Sequence, residues 1–389
     1  MRGIEISYCN VCINALVGAY KQLLQTSAIE ALAKSNYGKS DTRGFDAIVE
    51  SIIKRRLNNY DNEVVLITEE TDQTTSRTWP IDPDPSQQPK MFFSDPVDRS
   101  KYLEKLIMKM TENDDIKHIK IGELLGRKDV VDIWESVVDH EPVAITGATA
   151  AITYVNRGHI VFSVILNFIT SEIFVACDMG VSRMPIDVHE KKTERLLEYM
   201  VARGEKIHFR SAQESFSSED DYNRFVTFLG KTMYAEIFEE SRVIIGDYGK
   251  FLHHREPGGP SRILYLSDLQ NGDTPIGFVI GNGEKIGEWI HWLAFVKFAR
   301  NKHGNPALRA YEISLKKALF KDEVLVATPP AYSIFNCQDE NRCYIDVSRM
   351  KNHDAPSRFR SIIVVAPCDN ERITPIMDRH EYRDIGKCL

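Results

Sequence analysis

The sequence lacks any apolar run approaching the roughly 18 residues that a membrane-spanning helix needs. Its 49 Lys and Arg against 56 Asp and Glu give a formal net charge of −7, and no basic stripe interrupts that balance. No nucleic-acid polymer and no membrane is therefore expected as a partner, since both bind proteins through concentrated positive charge. No secretory leader is predicted, because Glu5 interrupts the flank of the N-terminal apolar run and no small-residue cleavage site follows it.

Cysteine is also sparse. The seven cysteines are odd in number and scattered through the chain, which favours a reducing compartment, and the cytoplasm is the default interpretation. Cys9 and Cys12 form a lone C-x-x-C, for which a redox pair and half of a zinc site are the functional alternatives. Since no second pair is nearby and the surrounding pattern is helical, both are predicted to be packing residues on a helix face.

A chain of 389 residues with 43% hydrophobic residues is long for one domain and has ample material for a core. Mixed helices and strands in two halves predict a layered α/β (α+β) protein. Residues 1–187 are predicted to form an α+β lobe with the metal-binding motifs, and 188–225 a charged linker or insertion. Residues 226–389 are predicted to form an α/β lobe with substrate-facing residues and an extra tail.

Hydrophobic periodicity and turn signals predict the individual elements. The predicted helices are 10–33, 45–58, one from 101, 193–201, 222–228, 232–240, 261–269 and 289–299. The predicted strands are 64–67, 144–155, 158–166, 172–176, 242–245, 276–280, 324–327, 344–347 and 362–366. Residues 71–90 are predicted to be a polar, Pro-rich surface loop.

The stretch FFSDPVDRS, residues 92–100, is the chemical centre of the sequence. An apolar pair leads into the carboxylates Asp95 and Asp98, which are predicted to be presented from a stiff turn at Pro96, and Ser100 falls where a helix N-cap would lie. Helix N-termini bind phosphate, and paired carboxylates bind hard divalent cations. The stretch therefore predicts a strand that ends in a metal and phosphate site.

A second pair of carboxylates, Glu69 and Glu70, follows the short predicted strand 64–67. The ends of neighbouring strands are expected to converge, which would bring this pair close to Asp95. Each acid alone would more often be a cap or a solvated turn residue. Four carboxylates in one site would repel one another without cations, so their joint arrangement favours metal binding.

These motifs resemble those of the inositol monophosphatase superfamily, the magnesium-dependent, lithium-sensitive phosphomonoesterases that include fructose bisphosphatases and bisphosphate nucleotidases. The resemblance covers residues 10–180 well and 240–335 weakly, and it implies the layered α-β-α-β-α sandwich of that family. The matching pieces are Asp46-x-x-x-Glu50, Glu69-Glu70, Asp95-Pro-Val-Asp98-x-Ser100 and the late acidic-aromatic helix start Gly287-Glu288-Trp289.

The resemblance also implies a metal-ligand set. Glu69, Asp95 and the backbone carbonyl of Val97 would hold one Mg²⁺, and Asp95 and Asp98 would share in a second. Two or three Mg²⁺ are implied, with Mn²⁺ as the alternative cation. Glu288 would be the last ligand, although it replaces the family's Asp and the order of the pair is inverted; an ordinary helix-start residue is the alternative.

Catalytic and substrate roles are implied in the same way. The Ser100 hydroxyl and the Glu69 carboxylate would orient the attacking water, and Asp46 would fix that hydroxyl. The implied substrate contacts are Arg99, Ser100, Arg255, Gly259, Ser261 and Arg262. The family has Gly where Arg99 stands, so this side chain either crowds the phosphate or adds a guanidinium that grips it.

The expected activity is Mg²⁺-dependent hydrolysis of a small phosphorylated metabolite, a sugar, inositol or nucleotide phosphate, by metal-activated water. The alternative is a catalytically weakened phosphate-binding or regulatory module on the same fold. For the assembly, a homodimer is left open.

Overall fold

A computed structural model describes the chain at residues 3–35, 42–68, 78–79, 89–112, 116–137, 147–186, 203–207, 236–238, 243–245, 278–281, 286–301, 303–314, 335–339, 342–345, 362–368 and 381–386. The helices in these ranges are α1 (Gly3–Gln25), α2 (Ala28–Leu32), α3 (Gly44–Tyr60), α4 (Ser100–Met110), α5 (Ile121–Leu125), α6 (Val130–Val137) and α7 (Ile286–Phe298). Among these described helices, none combines the length and the apolar character that a bilayer span requires.

The strands form two large sheets. The first has the order β2-β1-β3-β4-β5-β6-β7-β8 and the second β16-β12-β15-β11-β10-β9, while β13 pairs with β14. The bounds are β1 (Val65–Thr68), β2 (Thr78–Trp79), β3 (Lys90–Asp98), β4 (Thr149–Asn156), β5 (His159–Asn167), β6 (Glu172–Cys177), β7 (Gly180–Pro185), β8 (Glu205–Ile207), β9 (Glu236–Phe238), β10 (Val243–Ile245), β11 (Phe278–Gly281), β12 (Leu308–Ser314), β13 (Phe335–Asp339), β14 (Arg342–Ile345), β15 (Ile362–Pro367) and β16 (Glu381–Asp384).

The centre of the first sheet is the predicted trio of antiparallel strands. β4, β5 and β6 pair antiparallel, as the alternating patterns of 144–155, 158–166 and 172–176 indicate. Arg157 and Gly158 join β4 to β5 with φ of 50° and 81°, the backbone of a tight two-residue hairpin. β1 and β3 run parallel, so their carboxyl ends reach the same edge of the sheet.

Helices α1 and α3 cover one face of this sheet. Their buried residues recur at helical spacing and join Phe92 and Tyr154 of the sheet in one hydrophobic cluster. At the edge of the cluster the Tyr8 hydroxyl donates to the Asp61 carboxylate, and Lys90 Nζ lies 3.4 Å from the same carboxylate. This hydrogen bond lowers the pKa of Asp61, whereas burial raises the pKa of Tyr8.

Helix α7 packs between the opposite face of the first sheet and strand β12 of the second. Its sequence is predominantly apolar, and Ile290, Leu293 and Phe295 are buried, as expected for a helix that packs against sheets on two sides. The described elements thus form four consecutive layers, α-β-α-β, and the predicted layered α/β class is confirmed.

The cysteine pair of α1 has the predicted packing role. Cys9 and Cys12 are fully buried, and burial raises the pKa of both thiols well above the usual range. A thiol that resists ionisation is a poor nucleophile and a poor metal ligand.

Several element predictions need correction. The helix predicted over 10–33 is broken after Gln25, and Ser27 caps a separate α2 by accepting the amide of Glu30 at 3.3 Å. The predicted loop 71–90 contains β2, which pairs with β1. The helix predicted over 232–240 is wrong at Glu236–Phe238, which is a strand paired with β10.

Other predictions differ less or fall elsewhere. β4 begins at Thr149, while residues 144–146 of the predicted strand lie outside the described residues. β8, within the predicted linker, pairs with β7. The elements predicted over 193–201, 222–228, 261–269 and 324–327 lie outside the described residues.

Candidate active site at the end of strand β3

A one-residue bulge in β3 shapes the site. Asp95 lies opposite Ala151 of β4, whereas Asp98 lies opposite Thr149, so three residue steps on β3 match two on β4. Ala151 and Thr149 are two residues apart and share a face, and cross-strand partners share that face as well. Asp95 and Asp98 therefore lie on the same side of the sheet. In a regular strand their spacing would place them on opposite sides.

The bulge corrects the prediction of a stiff turn after Asp95, because the strand continues to Asp98. Pro96 has no amide to donate to the ladder, and a bulge is one of the few places where a sheet tolerates proline. The proline was a sequence signal for this irregularity, but the facing of the two aspartates depends on the pairing with β4.

The two aspartates differ in burial. Asp95 is 0% exposed, Asp98 is partly buried, and Val97 between them is buried. Buried carboxylates need compensating positive charge, and oxygen donors of this kind suit Mg²⁺ or Mn²⁺. The donor set therefore fits the metal that the sequence motifs imply.

The described residues hold only part of the predicted ligand set. Glu69 and Glu70 lie outside them, as does the side chain of Glu288, whose backbone places it in the first turn of α7. Within the described part of the chain, no group of three or more His, Cys, Asp or Glu side chains is arranged to hold a metal. The predicted substrate contacts Arg255, Gly259, Ser261 and Arg262 also lie outside the described residues.

The carboxyl end of strand β1 lies beside Asp95 at the same edge of the sheet. Thr68, the last described residue before Glu69, is in register with Ser94, the residue before Asp95. The Thr68 hydroxyl donates to Glu50 Oε1 of α3 at 2.6 Å, and Lys54 Nζ lies 3.3 Å from the same oxygen. Glu50 is fully buried. Sequence reasoning quoted Glu50 as part of a motif but missed this supporting contact, which joins residues 18 apart.

Asp46, one turn before Glu50, is also buried. Its Oδ2 accepts the amide of Arg43 at 2.9 Å, so it caps the start of α3. The Arg43 guanidinium in turn makes a bidentate pair with Glu104 of α4, at 3.1 and 2.7 Å. The starts of α3 and α4 are thereby tied together. The role of Asp46 toward Ser100 stays a prediction.

The start of α4 has an unusual cap. Arg99, not Ser100, is the N-cap residue, and Ser100 is the first helical residue. Arg99 has φ 62° and ψ 30°, a left-handed backbone that costs a non-glycine residue about 1–2 kcal/mol. The residue is 8% exposed, and its guanidinium carbon lies 5.7 Å from the centre of the Tyr102 ring. Backbone strain of this kind is concentrated at functional sites.

The contact between Thr68 and Glu50 gives a testable expectation. Thr68→Val keeps the shape of the side chain but removes the hydroxyl that Glu50 accepts, and the strand end that leads to Glu69 loses its support. We expect Mg²⁺ affinity to fall about tenfold, as for other groups that orient metal ligands. Titration calorimetry of the metal-free protein measures this change.

Thr111→Val is the matched control. Thr111 is also a buried threonine, and its hydroxyl donates to the Ile107 carbonyl at 2.8 Å, at the far end of α4. Both variants are expected to lose about 1–3 kcal/mol of unfolding free energy, but only Thr68→Val should weaken metal binding. Equal metal affinity in the two variants would show that Thr68 does not support the metal site.

The chain was compared with protein-family models, curated proteins and solved structures. No family model and no curated protein matches the chain. A solved structure of CysQ from Bacteroides thetaiotaomicron, a bacterial member of the inositol monophosphatase family, is similar at 13% identity and a TM-score of 0.44, over 92% of this chain and 96% of that chain. The inositol monophosphatase of Anabaena is similar at 10% identity and a TM-score of 0.41, over 96% of both chains.

The extragenic suppressor protein SuhB of Bartonella henselae is similar at 14% identity and a TM-score of 0.41, over 96% of this chain and 97% of that chain. Two of these three proteins are described as inositol monophosphatases or members of that family, which the sequence motifs resemble. At 10–14% identity, these similarities assign no role to individual residues of this chain.

Proposed function

We propose that this chain is a metal-dependent phosphomonoesterase that hydrolyses a small phosphorylated metabolite, a sugar, inositol or nucleotide phosphate. The bulge in β3 is the observation that carries the proposal, because it aims Asp95 and Asp98 from one face of the sheet directly before the N-terminus of α4. Carboxylates for a cation and a helix N-terminus for a phosphate are thus adjacent in the chain.

Asp95, Asp98 and the Val97 carbonyl would hold Mg²⁺, or Mn²⁺ as the alternative, with Glu69 and Glu288 completing the ligand set. The register of Thr68 with Ser94 supports a place for Glu69 beside Asp95. When bound, the metal would neutralise phosphoryl oxygens, stabilise the leaving alkoxide and lower the pKa of an attacking water.

The remaining roles belong to the start of α4 and its neighbours. Backbone amides of the first helical turn and the Arg99 guanidinium would bind the phosphate. The Ser100 hydroxyl, held by Asp46, would orient the water together with Glu69. Phosphate monoesters need a barrier reduction of about 20 kcal/mol or more, and positioning and charge neutralisation supply most of it.

An assay on a panel of sugar, inositol and nucleotide phosphates tests the proposal. We expect release of inorganic phosphate from at least one compound with Mg²⁺, and none after addition of EDTA. Absence of release from every compound with Mg²⁺ and with Mn²⁺ would contradict it. Phosphate binding without turnover would instead indicate the binding module, with Arg99 filling the phosphate site.

A further inference from the structure

Three buried polar side chains form a hydrogen-bonded chain between α7 and the first sheet. Thr153 of β4 donates from Oγ1 to Ser163 Oγ of β5 at 2.8 Å, and the same Thr153 oxygen lies 2.8 Å from His291 Nδ1 of α7. All three residues are 0% exposed. A hydroxyl has a single proton, and Thr153 gives its proton to Ser163, so His291 Nδ1 is the donor to Thr153.

Because its surroundings are apolar, this chain of hydrogen bonds helps to determine how α7 is positioned along the sheet. Ile290, Leu293 and Ala294, which neighbour His291 on α7, are buried and apolar, and apolar contacts alone tolerate small shifts of a helix along a sheet. A buried imidazole without its hydrogen bond costs about 1–3 kcal/mol. The placement that brings Nδ1 to Thr153 avoids that cost, so this polar contact favours one register of α7 on the sheet.

The register of α7 on the sheet also determines how Glu288 is placed relative to Asp95 and Asp98. Thr153 lies opposite Phe93, and Ala151 lies opposite Asp95. The two positions are two residues apart on one face, about 7 Å along the strand. Since Thr153 contacts α7, Asp95 and Asp98 face α7 as well. On the helix, Glu288 precedes His291 by three residues, about 4.5 Å of rise and nearly the same helix face.

We propose that His291 is a positioning residue that, through Thr153, fixes Glu288 relative to Asp95 and Asp98. The inference rests on the proposed phosphatase function, in which Glu288 is the last metal ligand. His291 does not touch metal or substrate in this scheme. Its effect is to hold the ligand-bearing start of α7 in register with the ligand-bearing end of β3.

Mn²⁺ binding to metal-free protein, followed by electron paramagnetic resonance, tests the role without relying on turnover. We expect His291→Leu and Thr153→Val each to weaken Mn²⁺ binding about tenfold. The Mg²⁺ concentration for half-maximal hydrolysis should rise in parallel, while kcat at saturating Mg²⁺ stays within about threefold. His291→Asn, whose amide can donate from nearly the position of Nδ1, should restore most of the affinity.

The far end of the same helix supplies a control. Lys297 Nζ donates to the Ile160 carbonyl of β5 at 2.7 Å. Lys297 lies about two and a half helical turns beyond Glu288, the candidate metal ligand. Lys297→Met removes this second contact between α7 and the sheet but keeps the apolar stem. Its Mn²⁺ affinity should stay within about twofold of wild type. An equal loss in Lys297→Met would show that any loosening of α7 has the same effect, and would overturn a specific role for His291.

The outcomes separate the two proposals. The positioning role alone is overturned if the wild-type protein binds Mn²⁺ and hydrolyses phosphate, while His291→Leu and Thr153→Val keep the wild-type affinity for Mn²⁺. A wild-type protein that neither binds Mn²⁺ nor hydrolyses any phosphate overturns both. If His291→Leu fails to fold, the nearly isosteric Thr153→Val decides, with circular dichroism as the check of its fold.

Discussion

Asp95→Asn is expected to abolish phosphate release while the fold stays intact. Asp95 is the shared ligand of the proposed site, and an amide oxygen cannot supply the negative charge that two cations share. A loss of about 4 kcal/mol of transition-state stabilisation corresponds to roughly a thousandfold in kcat/KM. The change is isosteric in a buried position, so the thermal midpoint of the metal-free protein should move little. Initial rates and a thermal melt measure the two effects.

Asp61→Asn is the matched control for this substitution. Asp61 accepts the Tyr8 hydroxyl and faces Lys90 at the opposite end of β3 from Asp95. It therefore undergoes the same chemical change away from the candidate site. We expect a modest loss of stability and normal hydrolysis. Undiminished activity in Asp95→Asn, or equal losses in both variants, would count against the metal site.

Arg99→Gly is expected to act in opposite directions on stability and on phosphate binding. Glycine adopts the left-handed backbone of residue 99 without the cost to a side chain, which should raise the unfolding free energy by about 1 kcal/mol. The variant also loses a buried guanidinium. If that group binds phosphate, its charge-assisted hydrogen bonds are worth about 1.5–3 kcal/mol. The KM for substrate and the inhibition constant of inorganic phosphate should then rise about 10- to 100-fold.

Arg157→Gly separates the backbone effect from the binding effect. Arg157 is the other arginine with a left-handed backbone among the described residues, with φ 50° in the β4–β5 turn. It lies at the end of the sheet remote from Asp95. This control should gain stability without any change in phosphate affinity. Tighter phosphate binding in Arg99→Gly would instead show that the arginine crowds the phosphate.

Local sequence signals were sufficient for elements that pack through one continuous pattern. The helix predicted over 45–58 matches α3, and the strand predicted over 172–176 matches β6, because both have apolar residues at the period of their structure. Helical spacing failed over 232–240, where pairing with β10 decides the conformation of Glu236–Phe238. Propensity is a weak prior that tertiary contacts override.

In the candidate site, too, local sequence signals predict some features and tertiary contacts determine the others. The types and spacing of Asp95 and Asp98 predict metal ligands, but their shared face depends on β4, more than 50 residues downstream. The hydrogen bond from His291 to Thr153 spans 138 residues and leaves no local signal. The roles of the individual site residues, the division into lobes, the cytoplasmic location and the homodimer stay predictions.

The position of α7 couples the two halves of the chain. This helix comes from residues 286–298, yet it covers the face of the first sheet toward which Asp95 and Asp98 point. A truncated fragment that ended before α7 would lose the cover that this helix provides, and exposed apolar surface favours self-association. In the proposed phosphatase, the metal site would then be completed only late in synthesis, when a segment almost 200 residues beyond the aspartates has emerged and docked.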